Sequence, residues 1–149
     1  MSKSKVLFLC TGNSCRSQMA EGLVGHYLSE EWLAYSAGTE PAGYIHPLAI
    51  RAMAEIGIDI SGNASKSVEV FRDRPLDLVV TVCDSAAENC PVWLGQGHVV
   101  HIEFPDPAKA LGTEDEMMQV FRLVRDDIQR RILYYLTKGK VLAEGQPDE

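Results

Sequence analysis

Apolar positions along the chain follow two alternating rhythms. Short unbroken runs rich in Val, Ile and Leu are separated by longer stretches in which apolar residues recur every three or four positions. That is the pattern of buried parallel strands joined by amphipathic helices. Lys5 to Leu9 (KVLFL) reads as a first strand, followed by a helix from about Arg16 to Leu28 with Ala20, Leu23, Val24, Tyr27 and Leu28 at helical spacing. Trp32 to Ser36 predicts a second strand, ended by Ala37-Gly38. Pro47 suits the first turn of another helix, Leu48, Ala49, Ala52, Met53 and Ile56 form its apolar face, and Gly57 stops it. Leu76 to Val82 and His98 to Phe104 are the remaining strands. Thr113, with Glu116 three residues on, is a capping box for a last helix, and Glu114 and Asp115 favour its positive end. Met117, Val120, Phe121, Val124, Ile128 and Ile132 are expected to face inward there, with Arg and Lys dominating the far end. The prediction is an α/β fold: one domain over residues 1–149, with a four-stranded parallel sheet. Right-handed crossovers place helices on both faces, and a flexible tail is expected from about residue 140.

Composition agrees with a packed domain. The 149 residues are 46% hydrophobic and 23% charged, enough to bury a core without disulfide or metal staples. Fourteen basic against 21 acidic residues give a net charge of −7, which does not favour nucleic acid or an anionic membrane as partner. No apolar run approaches the ~20 residues of a spanning helix, and the N-terminus lacks the form of a signal peptide. A cytoplasmic, monomeric protein is expected, with its four cysteines as thiols. Those thiols are packing, metal ligands or chemistry.

Between the first strand and first helix lies Cys10-Thr11-Gly12-Asn13-Ser14-Cys15-Arg16-Ser17. A loop entering a helix N-terminus offers unpaired N–H groups and the positive end of the dipole, a cradle for a tetrahedral oxyanion. Gly12 permits a tight turn and Asn13 tolerates a left-handed conformation. Arg16 can grip two oxygens through its planar fork. Cys10, at the strand end, should point its sulfur into the cradle, where the N–H groups, Arg16 and the Ser17 hydroxyl favour a thiolate. Cys15 sits in the cradle wall and reads as packing. The loop lacks the Gly-Lys-[Ser/Thr] ending of a nucleotide P-loop. Cys10/Cys15 and Cys83/Cys90 are separated by four and six residues, which does not suit zinc, and His26, His46, His98 and His101 are dispersed. No metal site is expected.

Ligands in open α/β sheets bind outside the carboxyl ends of the strands. Cys10, Cys83 and Asp106 lie at or just beyond three such ends. Asp106, in Phe104-Pro105-Asp106-Pro107, is equally suited to starting a turn or to serving as a general acid. Cys83 and Cys90 are either small buried hydrophobes or a thiol pair on a polar segment that can rearrange.

The run CTGNSCRSQMAEG resembles the active-site loop of the low-molecular-weight protein tyrosine phosphatase fold, and more narrowly the thioredoxin-coupled arsenate reductases built on it. The likeness continues through Tyr35-Ser36-Ala37-Gly38, Leu78 to Cys90 and Asp106-Pro107. It implies residues 11–16 (Thr11, Gly12, Asn13, Ser14, Cys15 and Arg16) as the oxyanion cradle, Cys10 as nucleophile and Asp106 as acid. Cys83 and Cys90 become a relay that forms a transient Cys10–Cys83 disulfide and then Cys83–Cys90. Thioredoxin, fed by thioredoxin reductase and NADPH, would reopen the latter, with no bound cofactor. The implied function is reduction of arsenate to arsenite, in arsenic detoxification. Where the phosphatases usually continue Asp-Pro with tyrosine, Ala108 and Lys109 follow here, so a stacking wall for a phosphotyrosine ring is missing. Asn13, Glu21 and Ser36 match a potassium site of some similar reductases, and Lys66 stands in this sequence where those have an acidic ligand. Its ammonium is expected in the cation's place. Two rivals remain at this point: a phosphatase that hydrolyses monoesters through a phosphocysteine, and a phosphocysteine carrier or thiol sensor. Glutaredoxin or mycothiol could replace thioredoxin as reductant.

Overall fold

A computed structural model describes residues 3–84 and 92–143. Four parallel strands, β1 (Ser4–Cys10), β2 (Trp32–Gly38), β3 (Leu78–Thr81) and β4 (His98–His101), form one sheet in the order β2-β1-β3-β4. The helices are α1 (Arg16–Tyr27), α2 (Pro47–Ala54) and α3 (Glu114–Lys138). β1 is central, with β2 paired along its whole length and β3 on its other side. Strand and helix positions follow the sequence pattern, while β3 and β4 are shorter than their apolar runs. Ile102 and Phe104 beyond β4 remain buried without being strand, so burial outlasts strand pairing there.

One sheet face and the helices form a continuous core: Val6, Phe8, Val80 and Val82 meet Met19, Leu23 and Val24 of α1 and Met118, Phe121, Val124 and Ile128 of α3. Leu7, Leu9, Val79, Phe71 and Trp93 fill the opposite face, which a 3-10 turn at Val68–Phe71 covers. Met118, rather than Met117, is the fully buried methionine of α3. Two of the far-end arginines, Arg125 and Arg131, are also buried there. Thr113 and Glu116 make the reciprocal capping box. Arg122 and Arg125 of α3 grip Glu55 just past α2, at 2.7 and 2.9 Å, and those hydrogen bonds hold the carboxyl down at about 2.

His46 caps α2, its Nδ1 accepting from the Leu48 N–H at 3.1 Å. Burial lowers its pKa, which keeps that acceptor neutral. Leu142, within the expected tail, is buried at 1% exposure, so the chain is packed at least to that point. Among the described residues no helix is long and apolar enough to cross a membrane.

Candidate oxyanion site

β1 delivers Cys10 to the carboxyl edge of the sheet, and α1 starts six residues later. The N-cap of α1, Cys15, makes no side-chain capping bond, and no acidic residue lies in the first turn. The positive end of the helix is therefore left for a ligand. A cavity of about 420 Å³ opens here, lined by loop residues Cys10 to Arg16, by Thr39 and Glu40 past β2, and by Asp106 and Lys109 past β4.

Two donors converge on the Cys10 sulfur. The Asn13 N–H reaches Sγ at 3.2 Å, and Ser17 Oγ lies 2.9 Å from it. Asn13 Nδ2 donates to the same Ser17 oxygen at 2.8 Å. An amide nitrogen only donates, so Ser17 accepts from Asn13 and has its own hydrogen available for the sulfur. This arrangement stabilises negative charge on Cys10. Cys15 is different: it is 3% exposed, and burial pushes its thiol up to about 12. It stays protonated at neutral pH and cannot compete as a nucleophile.

Asn13 is the bracket of the loop. It has φ 50°, in the left-handed region, and is fully buried. Its Oδ1 accepts from Gln18 Nε2 at 3.0 Å and from the Lys66 backbone N–H at 2.8 Å, and its carbonyl accepts from Gln18 at 3.2 Å. Gly38, at the end of β2, packs directly on this loop. A Cβ there would collide with the Thr11 carbonyl oxygen and stand 3.0 Å from the Asn13 nitrogen.

Arg16 is 3% exposed, and its Nη1 donates to the Phe104 carbonyl at 3.2 Å. Its Nη2 lies 3.7 Å from Asp106 Oδ2. The other Asp106 oxygen, Oδ1, accepts from the Ala108 N–H at 3.0 Å and caps the 3-10 turn Pro107–Lys109. The turn reading of Asp106 is therefore seen directly in one oxygen, while the other faces the cavity arginine.

The Cys83 side chain is fully buried, and the residue follows β3, the neighbour of β1. The Val82 N–H donates to the Leu9 carbonyl at 2.9 Å, which puts Cys10 and Cys83 at adjacent strand ends. Cys83 is engaged in a disulfide, whereas Cys10 and Cys15 are free thiols. Cys90 lies outside the described residues. The structure thus brings Cys10, Arg16 and Asp106 around one cavity, with Ser17 bonded behind the Cys10 sulfur and Cys83 at the next strand end.

Sequence reasoning missed Thr39, Glu40 and Gln18. The end of β2 at Gly38 was a signal for the first two, because residues after a strand end face the same crevice. Gln18 gave none: besides its local bonds to Asn13, it donates to the Ala64 carbonyl 46 residues away.

The Lys66 ammonium donates to the Ala64 carbonyl at 2.8 Å and lies 3.8 Å from Glu21 Oε1, the oxygen that accepts from Ser36 at 2.6 Å. A positive charge already faces the carboxylate of this nest. The residues therefore do not fit an additional alkali cation, and no step of the chemistry is assigned to one. Activity should be the same in potassium and sodium salts at equal ionic strength, and Lys66→Ala should confer a potassium dependence. A strong potassium activation of the wild type would contradict the geometry. Gly38→Ala should weaken phosphate binding at least about tenfold, the equivalent of one ~1.4 kcal/mol interaction, and destabilise the fold by about 1–3 kcal/mol through overpacking. Isothermal calorimetry and thermal melting measure the two effects.

The sequence matches the family of low molecular weight phosphotyrosine protein phosphatases over residues 5–144. It is 51% identical over 140 residues to an arsenate reductase of Halalkalibacterium halodurans, covering 94% of this chain and all of that one. Among solved structures, one described as an arsenate reductase in the phosphate binding state superposes with a TM-score of 0.72 at 33% identity, over 91% of this chain and 98% of that chain. A Corynebacterium glutamicum protein described as a thioredoxin-dependent arsenate reductase superposes with a TM-score of 0.64 at 29% identity, over 93% of this chain and 64% of that chain. With the cradle between β1 and α1 and these matches along nearly its whole length, the chain belongs to the low molecular weight phosphotyrosine protein phosphatase family.

Proposed function

We infer that the protein is an arsenate reductase that works by a three-thiol relay regenerated by thioredoxin. The observation that carries this reading is the Cys10 sulfur, set in the cavity at the α1 N-terminus under two converging donors, with a disulfide-bonded cysteine at the adjacent strand end.

Arsenate binds to the N–H groups of residues 11–16 and to Arg16. Cys10 thiolate attacks arsenic, an S–As bond forms, and an As–O bond breaks. The departing oxygen takes a proton from Asp106 and leaves as water. Cys83 thiolate then attacks Cys10 Sγ. The S–As electron pair stays with arsenic, which falls from the +5 to the +3 state and leaves as arsenite, and a Cys10–Cys83 disulfide remains. Cys90 attacks Cys83, which passes the disulfide to Cys83–Cys90 and frees Cys10. A disulfide at Cys83 with Cys10 free is the state this sequence of exchanges leaves behind. A dithiol of the thioredoxin class reopens it, and the thioredoxin-dependent relative from Corynebacterium glutamicum supports that choice.

The cavity mouth favours a free oxyanion over an aryl monoester. Ala108 and the exposed Lys109 stand beyond Asp106, and Glu40 and Thr39 flank the other side, so these walls offer no ring for stacking. Phosphate shares the shape and charge of arsenate, so slow hydrolysis of an aryl phosphate through Cys10 remains compatible with the site.

With thioredoxin, thioredoxin reductase and NADPH supplied, Cys83→Ser and Cys90→Ser should each abolish multiple turnovers of arsenate while leaving aryl phosphate hydrolysis in place. NADPH oxidation and p-nitrophenol release measure the two activities. Normal arsenate turnover by either serine variant would exclude the relay.

A further inference from the structure

Arg131, two-thirds of the way along α3, is only 3% exposed although it carries a full charge. Its Nε donates to the Leu142 carbonyl at 2.9 Å. Its Nη1 donates to the Glu103 carbonyl at 3.1 Å and to Asp127 Oδ2 at 2.9 Å. The guanidinium also lies against the Phe104 ring, 4.5 Å from its centre. One side chain thereby ties the segment leaving β4 to α3 and to the C-terminal stretch.

The tied segment leads straight into the oxyanion site. Glu103 and Phe104 present successive carbonyls to two arginines: the first to Arg131, the second to Arg16 at 3.2 Å. Asp106 follows two residues later, facing Arg16. A cavity of about 310 Å³, lined by Glu103, Phe104, Pro105 and Arg131 among others, adjoins this stretch. A buried ion pair is a poor source of net stability, since an apolar side chain of similar volume often serves as well. What an apolar side chain cannot supply is direction to two backbone carbonyls.

We propose that Arg131 is a positioning residue for the reaction: by holding the Glu103 carbonyl and the Phe104 ring it sets the placement of Arg16 on the oxyanion and of Asp106 as acid. The second half of this inference rests on the acid role given to Asp106 above. The first half concerns anion binding alone.

The test compares wild type with Arg131→Met, which keeps volume without direction, and Arg131→Lys, which keeps charge without the planar fork. Two readouts are used: affinity for inorganic phosphate, and the rate of arsenite formation in a single turnover of the reduced protein at saturating arsenate. Arg131→Met is expected to weaken phosphate binding about tenfold and to slow the single turnover about 10- to 100-fold, the range for displaced catalytic groups. Arg131→Lys should restore only a minor part of either. In an Asp106→Asn background the same Met substitution should slow turnover less than about threefold, because there is no longer an acid to misplace. Unchanged phosphate affinity would overturn the Arg16 half of the proposal and equal slowing in both backgrounds the Asp106 half; the two together leave Arg131 a packing residue. If Asp106→Asn by itself leaves the rate intact, the acid assignment fails, and the positioning of Arg16 is then decided by the phosphate affinity. Should Arg131→Met not fold, Asp127→Ala releases the guanidinium from a half-buried carboxylate instead and is held to the same two readouts.

Discussion

The site depends on one asparagine held in a left-handed conformation. Asn13 turns the loop between β1 and α1, and every polar atom it owns is used to keep that turn. Its N–H meets the Cys10 sulfur, its side-chain amide orders Ser17, and its side-chain oxygen reads Gln18 and the backbone of Lys66. A left-handed residue and a fully buried amide each cost free energy when unsupported. Here both are offset by hydrogen bonds that also order the groups around the Cys10 sulfur. The cradle is therefore set before any anion arrives, which is the condition for backbone dipoles to stabilise charge without reorganising.

Around that bracket the molecule divides its labour by strand ends. β1 supplies the Cys10 thiol, β2 supplies the glycine that lets the loop lie close, β3 leads to Cys83, and the segment after β4 supplies the Asp106 carboxylate. A parallel sheet places all four ends on one edge, so residues as far apart as Cys10 and Asp106 share one cavity. An overall charge of −7 does not prevent anion binding, because the attraction is local and rests on Arg16, a helix terminus and oriented amides.

Much of this was legible in the sequence because it depends on local rules. The strand-loop-helix transition at Cys10 to Ser17, the proline that opens α2, the capping box of α3 and the carboxyl-end rule each need only a short window. The Lys66 ammonium lies beside Glu21 as the resemblance implied. What stayed hidden depends on distant partners. Arg125 and Arg131 fell among the Arg and Lys residues that the pattern left outside the apolar face, yet their planar heads are buried against backbone carbonyls of Ala52, Glu103 and Leu142. Helical periodicity counts apolar residues and so cannot register a buried arginine. His46 gave no capping signal because histidine is an uncommon cap, and the apolar trio Val141-Leu142-Ala143 was too short to register as an element ahead of the polar end of the chain.

The most direct test of the central claim, that the cradle and the attacking sulfur are one site, is the stoichiometry of a single turnover. Fully reduced protein is mixed with excess arsenate without any reductant, and arsenite, free thiols and alkylated Cys10 are counted by mass spectrometry. One arsenite per chain and the loss of two thiols, with Cys10 still open to alkylation at the end, is the predicted result. Cys10→Ser should yield no arsenite at all. Arsenite released by that variant, or thiol loss confined to Cys10 and Cys15, would contradict the account.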